Sequence, residues 1–399
     1  MSCEMTSADI EELRFVDAAD VYKGSTRAAK LTRSDSGGIA FSYFADYTGE
    51  DISFSLPRGS RVETTGGALP PFFAGLLPEG HRLNVLNRAL KTSMDDEFSM
   101  LLAVGGDVPG DVRIFPEGQD PSEPEPVASS VSEWDFSEIV SAVDRVAIPG
   151  VQLKASSSMI NEPIRTRDAA AILKVDPDQY PFLVRNEYLH LQGAKRLRIG
   201  VAQAAIVHDT HGKEGLLVKR FDRGIIDGQV SRLAQEDASQ IMQITPAQKY
   251  SVDSESLVMA VASHASAPVV AKRNMYLLQF LFAWLTGNGD LHAKNISLLR
   301  NFNGTWHMAP MYDLPCTALY RDFTMALPIA GRTKSLRFRH WQEFADTIGL
   351  PERAAHEAQN LALTAAQAID LSALPFEGSP LRGALRELNS RRHELAMRL

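Results

Sequence analysis

Cysteine is nearly absent. Two occur in 399 residues, Cys3 near one end and Cys316 deep in the chain. No disulfide framework and no cysteine zinc site is expected, and a reducing compartment fits best. Long apolar runs are missing too. The longest, YLLQFLFAWL at 276–285, is about half of what a spanning helix needs, so no membrane segment is expected. The opening MSCEMTSADIEELRF has neither a basic nor an apolar leader region, and no signal peptide is expected there. Positive charge is in deficit: the net charge is −8. That argues against a broad nucleic-acid surface, though not against a local patch or a DNA-binding partner. The expectation is a cytoplasmic protein with no membrane contact. What is present suffices for a large core: 44% of residues are hydrophobic and 23% charged, over a length that suggests two or three domains.

No internal repeat is seen. AADVYKGSTRAAKLTR reads as strand, turn and strand, and GGIAFSYFADY alternates as a half-buried strand does. LPPFFAGLLPEGHRLNVLNRAL reads as one helix with a proline-crowded start. Residues 115–136, FPEGQDPSEPEPVASSVSEWDF, have linker composition and mark a boundary. Beyond it, AILKV (171–175) is strand-like, FLVRNEYLHLQGAKRLRIG is a helix ending at Gly200, and QAAIVH and GLLVKRF are strands around DTHGKEG. After 225 the pattern is mostly helical, at 255–266, 270–286, 339–347, 351–373 and 380–398, with a hairpin in ISLLRNFNGTWHMAPMYD. The expected class is α+β, with units at 1–125, 126–225 and 226–399.

The chemistry gathers in GNGDLHAKN (287–295). Asp290 and Asn295 have the separation of a protein-kinase catalytic loop, where the acid accepts a hydroxyl proton and the amide holds a metal. Asp313, in MYD after the hairpin, stands where kinases place a second metal-binding acid. Two carboxylates and an amide oxygen suit Mg²⁺. His292 either touches phosphate or braces the loop. Lys174 in AILKV matches the strand lysine for ATP phosphates, and Glu187, thirteen residues on, its helix partner. GLLVKRFDR would follow as a hinge, Lys219–Phe221, with Asp222 for the ribose hydroxyls. A G-x-G-x-x-G loop is lacking before Lys174. In its place IPGVQLKASSS offers Gly150, Gln152, Lys154 and Ser156, Ser157 and Ser158, with backbone amides for phosphate. Singly these residues have ordinary readings: Lys174 as a surface strand lysine, Glu187 as an exposed helix acid, FDR as a turn, the serines as loop filler. Their joint order selects phosphotransfer.

GVQLK, LVRNEY, VKRFDR, QEDASQ, DLHAKN and MYD together resemble the HipA family of bacterial serine/threonine kinases, the toxins of type II toxin–antitoxin modules. ISFSLP and FFAGLLPEG resemble its N-terminal subdomain, and MALPIAGRTKSLRFRHW its stretch after the metal acid. The resemblance implies a protein-kinase-like two-lobed fold, with a sheet-rich N-lobe and a helical C-lobe, preceded by a small α+β N-terminal subdomain. It implies ATP with Mg²⁺. It also implies a HipB-like helix-turn-helix antitoxin that brings the complex to operator DNA and co-represses its operon, and a translation-related target, an aminoacyl-tRNA synthetase. By motif, Lys174 contacts phosphates, Asp290 is the base, Asn295 and Asp313 hold metal, Gln152 and Lys154 belong to the phosphate loop, and Lys219 and Phe221 to the hinge. The family's autophosphorylated loop serine is replaced here by Ala147, which puts self-inactivation by that route in doubt and leaves Ser156, Ser157 and Ser158 as substitutes. Two rival readings stand beside this one: a small-molecule kinase on the same scaffold, and a nucleotide-binding regulatory subunit without turnover.

Overall fold

A computed structural model describes residues 7–35, 37–122, 134–136, 159–165, 170–226 and 229–399. The first unit is a five-stranded antiparallel sheet in the order β4-β3-β2-β1-β5, built from β1 (Ala18–Lys23), β2 (Thr26–Arg33), β3 (Ile39–Tyr43), β4 (Arg61–Glu63) and β5 (Val112–Pro116). Ala19, Val21, Leu31, Ile39, Phe41 and Ile114 supply its buried face, and Phe72, Phe73, Phe98 and Leu101 from neighbouring helices close the core. The linker composition at 115 overlaps the end of β5, because β1 pairs with β5 through Pro116. The single helix expected from LPPFFAG onward is two, Pro71–Gly75 and Gly80–Leu90. Pro78 has no N–H to donate and restricts Leu77, and Gly80 takes a φ of +56°.

The second sheet is antiparallel in the order β6-β7-β9-β8, from β6 (Ile160–Arg165), β7 (Ala170–Val175), β8 (Ala204–His208) and β9 (Glu214–Lys219). Alternation along β7 sends Leu173 and Val175 into a small core with Phe136 and Ile160, and so turns Ile172 and Lys174 to the other face. Helix Leu183–Ala194 packs beside this sheet. Its start is fixed by Asp176, whose carboxylate accepts from the N–H groups of Phe182 and Val184 at 2.8 and 2.7 Å. The helix ends before Gly200: the last turn is 3₁₀ and Arg198 takes a left-handed φ of +58°. After 225 the expected hairpin is present as two paired strands, and further short strands accompany it. β10 (Arg223–Ile226) pairs with β11 (Gln229–Arg232), and β12 (Gln235–Asp237) joins β13 (Ser297–Arg300) and β14 (Trp306–Met308) in a three-stranded sheet. The boundary expected at 225 therefore falls inside β10.

YLLQFLFAWL lies in the large second core, where Tyr276, Phe280, Phe282 and Trp284 pack with Trp341, Phe344 and Ala362. The expected helix over 270–286 is α-helical at Pro268–Asn274 and Phe282–Thr286, with a π-helical stretch at Met275–Leu281 between. Among the described residues no helix is long and apolar enough to cross a membrane.

QEDASQ joins the first unit to the rest. Asp237 caps helix Ala238–Ile241, in a reciprocal box with Gln240. Gln240 Nε2 then donates to Phe72 O at 3.0 Å, and the Phe54 N–H donates to Glu236 Oε1 at 2.8 Å. Glu236 is 3% exposed, and burial pushes its carboxyl up from 4.5 to about 8. Between these values the folded chain keeps a proton that the unfolded chain releases. This stabilisation is complete below 4.5 and is lost as pH rises through about 8. Glu236→Gln keeps an acceptor for Phe54 and titrates nothing. Its stability relative to wild type is expected to rise by on the order of 1–4 kcal/mol between pH 5 and 8. A pH-independent difference in denaturant unfolding would contradict this.

Candidate active site

The loop that follows the buried helix is held open by two glycines. Gly287 ends the helix at φ +76°, and a Cβ there would meet Ala318 Cβ at 2.8 Å. At Gly289 a Cβ would lie 2.5 Å from Thr324 O, so only glycine allows this approach. Asn288 staples the turn: its Oδ1 accepts from Asp290 N–H at 3.0 Å and its Nδ2 donates to Asp313 O at 3.3 Å. The greasy helix thus serves as a rigid post that delivers Asp290, His292 and Asn295 to one place.

Lys174 reaches that place from β7. Its Nζ is 2.8 Å from both carboxylate oxygens of Glu187 and 3.1 Å from Asp313 Oδ1. Glu187 sits on the buried stripe of its helix beside Val184 and Leu191, where an unpaired acid would be costly. Burial works against the Lys174 ammonium, but Asp313 and Glu187 outweigh it and hold the group above its ordinary value. The other oxygen of Asp313 accepts from Asn295 Nδ2 at 2.8 Å, and Asn295 Oδ1 accepts from His292 N–H at 3.0 Å. Asp313 takes a left-handed φ of +59°, a conformation aspartate tolerates better than most residues. It turns the chain straight after Tyr312, whose hydroxyl donates to Lys294 O at 2.6 Å.

Lys174, Glu187, Lys219, Phe221, Asp222, Asp290, His292, Asn295 and Asp313 all line one cavity of about 340 Å³. Gln152, Lys154, Ser156, Ser157 and Ser158 lie outside the described residues. Asp222 has partners beyond those expected. It is 3% exposed, and its carboxylate accepts from Arg220 Nε (3.1 Å) and Nη2 (3.0 Å), Arg223 Nη1 (2.7 Å) and Gly110 N–H (2.9 Å). Burial opposes the anion, but the two arginines win and hold it at about 2. Three of these bonds fall on Oδ2 and one on Oδ1, so they hold the carboxylate to the two arginines and to the first unit. Asp222 ties the expected hinge to the first unit.

The sequence reading missed a wall of the cavity. Gly75 to Glu79, Arg82, Lys249 and Lys294 line it as well. Glu79 Oε2 accepts from Lys249 Nζ at 2.8 Å, Lys294 Nζ donates to Gly75 O at 2.9 Å, and Tyr250 donates its hydroxyl to Asp290 Oδ1 at 2.8 Å. These contacts span up to 219 residues of sequence, and no local spacing announces them. FFAGLLPEG was the one signal, as a matching segment without a stated role.

The chain, a mixed α+β fold with Lys174, Glu187, Asp290, Asn295 and Asp313 on one cavity, matches two family descriptions: HipA N-terminal domain over residues 19–115 and HipA-like C-terminal domain over residues 146–369. The chain belongs to the HipA family. It is 29% identical over 321 residues to the serine/threonine-protein kinase toxin HipA of Shewanella oneidensis, covering 72% of this chain and 73% of that one. It is also 29% identical over 374 residues to Y4mE of Sinorhizobium fredii, covering 84% and 87%. The solved complex of the Shewanella oneidensis MR-1 toxin–antitoxin system, HipA, HipB and operator DNA, contains a chain that superposes with a TM-score of 0.75 at 22% identity, covering 95% of this chain and 97% of that one. The fold is shared across that span.

Proposed function

We propose that this chain is an ATP-dependent protein serine/threonine kinase acting as the toxin of a type II toxin–antitoxin module. The observation that carries the reading is Lys174, bonded at once to Glu187 and Asp313, with Asn295 on the other oxygen of Asp313. This is the arrangement of charges a transferring phosphoryl group needs. The reading includes a two-lobed, protein-kinase-like arrangement. The second sheet and helix Leu183–Ala194 form the N-lobe, the chain after Asp222 forms the C-lobe, and the first unit is appended to both.

In this account Lys174, positioned by Glu187, contacts the phosphates of ATP, and the Lys219–Phe221 backbone meets the base. Gln152 and Lys154 are assigned to the phosphate loop by sequence alone. Asp290 orients the acceptor hydroxyl and takes its proton, with His292 beside it. Asp313 and Asn295 suit a divalent cation by residue type, a carboxylate and an amide oxygen being the ligands Mg²⁺ takes, and their side chains lie against each other. Asp313 and Asn295 would hold Mg²⁺, with Asn295 placed by its bonds to Asp313 and to the His292 N–H. Bound there, Mg²⁺ would neutralise charge on the phosphates of ATP.

The partner in this reading is a HipB-like helix-turn-helix antitoxin, through which the complex sits on operator DNA and represses its operon. The target is a translation-related protein, an aminoacyl-tRNA synthetase. The Shewanella relatives, one named a kinase toxin and one solved with HipB and operator DNA, support the toxin class and the antitoxin partner. The test is to add purified protein, Mg²⁺ and γ-labelled ATP to a lysate of the source cells and then separate macromolecules from metabolites. Label on a protein is expected. Label confined to the small-molecule fraction would make the chain a metabolite kinase, and ATP bound without any transfer would make it a regulatory subunit.

A further inference from the structure

Asp290 is 4% exposed and its Oδ1 is engaged by the hydroxyl of Tyr250 at 2.8 Å. A carboxylate base works best when one oxygen is fixed and the other faces the acceptor. Free rotation would waste part of its encounters on the wrong orientation. Tyr250 supplies that fixed bond. Its ring also stands edge-on to His292, with centroids 5.1 Å apart and planes at 84°. Burial, then the charge of Asp290, push the phenol of Tyr250 upward, so it remains a donor throughout the working pH range.

The segment that carries Tyr250 is itself anchored from two sides. Lys249 O accepts from Ala293 N–H of the catalytic loop at 3.3 Å. Lys249 Nζ is held by Glu79 of the first unit at 2.8 Å, and the same glutamate lies 3.8 Å from Lys294. Glu79 occupies the kink between the helices Pro71–Gly75 and Gly80–Leu90, between Pro78 and Gly80, which break the segment there. The break turns one acid onto two lysines that flank the base.

We infer that Tyr250 is a positioning residue for Asp290, and that Glu79, through Lys249, makes the first unit part of the acceptor side of the site. The inference rests on the phosphotransfer reading. The first unit is then required for turnover and is more than a binding appendage.

The test uses the full chain, as wild type, Tyr250→Phe and Glu79→Gln. For each, kcat and KM for ATP are measured by γ-phosphate transfer, ADP affinity by calorimetry, and the melting temperature by scanning fluorimetry. Tyr250→Phe is expected to lower kcat about tenfold, with KM for ATP and ADP affinity each within about twofold. Glu79→Gln is expected to lower kcat about threefold with the same split. A purely structural tyrosine would move ADP affinity and melting temperature along with kcat, and that result overturns the inference. So does a kcat for Tyr250→Phe within twofold of wild type. A wild type that binds ADP yet transfers no phosphate overturns the phosphotransfer reading itself, an outcome distinct from either.

Discussion

Replacing Lys174 with methionine is expected to abolish ATP-dependent transfer and to destabilise the chain by about 3–5 kcal/mol. The residue is 8% exposed and its ammonium neutralises two acids at once. Methionine fills the same volume but leaves Glu187, 1% exposed, with no counter-charge. That acid must take up a proton to stay buried, so the variant loses further stability as pH rises. A second substitution, Glu187→Gln, is expected to restore much of the lost stability without restoring transfer, because it removes the stranded charge and not the missing phosphate contact. Denaturant unfolding of the single and double variants reads the first effect, and labelled ATP the second. A single variant as stable as wild type would show that the Lys174–Glu187 pair does not hold the second sheet against its helix.

The substitution Asp290→Gln has the opposite profile. Transfer is expected to fall by at least about 10³-fold, while ADP affinity stays within about twofold of wild type. The reason is spatial. Asp290 hangs from the loop on the Tyr250 side, whereas Lys174, Glu187, Asp313 and Asn295, the group proposed to meet the phosphates, are tied to one another. Glutamine still accepts a hydrogen bond from Tyr250 but cannot take a proton from an acceptor hydroxyl. If ADP affinity fell together with transfer, Asp290 would belong to the nucleotide-binding set and the assignment of the base would be wrong.

How far these residues could be read without coordinates depended on the range of the interaction. The hairpin AADVYKGSTRAAKLTR and the strand AILKV are local patterns, and they stand where periodicity puts them. Lys174 and Glu187 could be paired from a spacing of thirteen residues because a strand and the next helix fix that geometry. The break at Pro78–Gly80 was written in the residues too, but its consequence, Glu79 against Lys249, spans 170 positions. The partners of Asp222 were hidden for a related reason. FDR alone reads as a turn, and only the fold sets this carboxylate against Arg220, Arg223 and Gly110 of the first unit. The short strands β10 and β12 escaped notice because at four and three residues they carry almost no period.

The most direct measurement of the central claim is a paired one on the same preparations: γ-phosphate transfer from Mg·ATP to protein in source-cell lysate, with ADP affinity alongside, for wild type and Asp290→Gln. The account predicts a labelled protein with wild type only, at equal ADP affinity. Equal labelling by both proteins would contradict it, because transfer would then proceed without the residue placed at its centre.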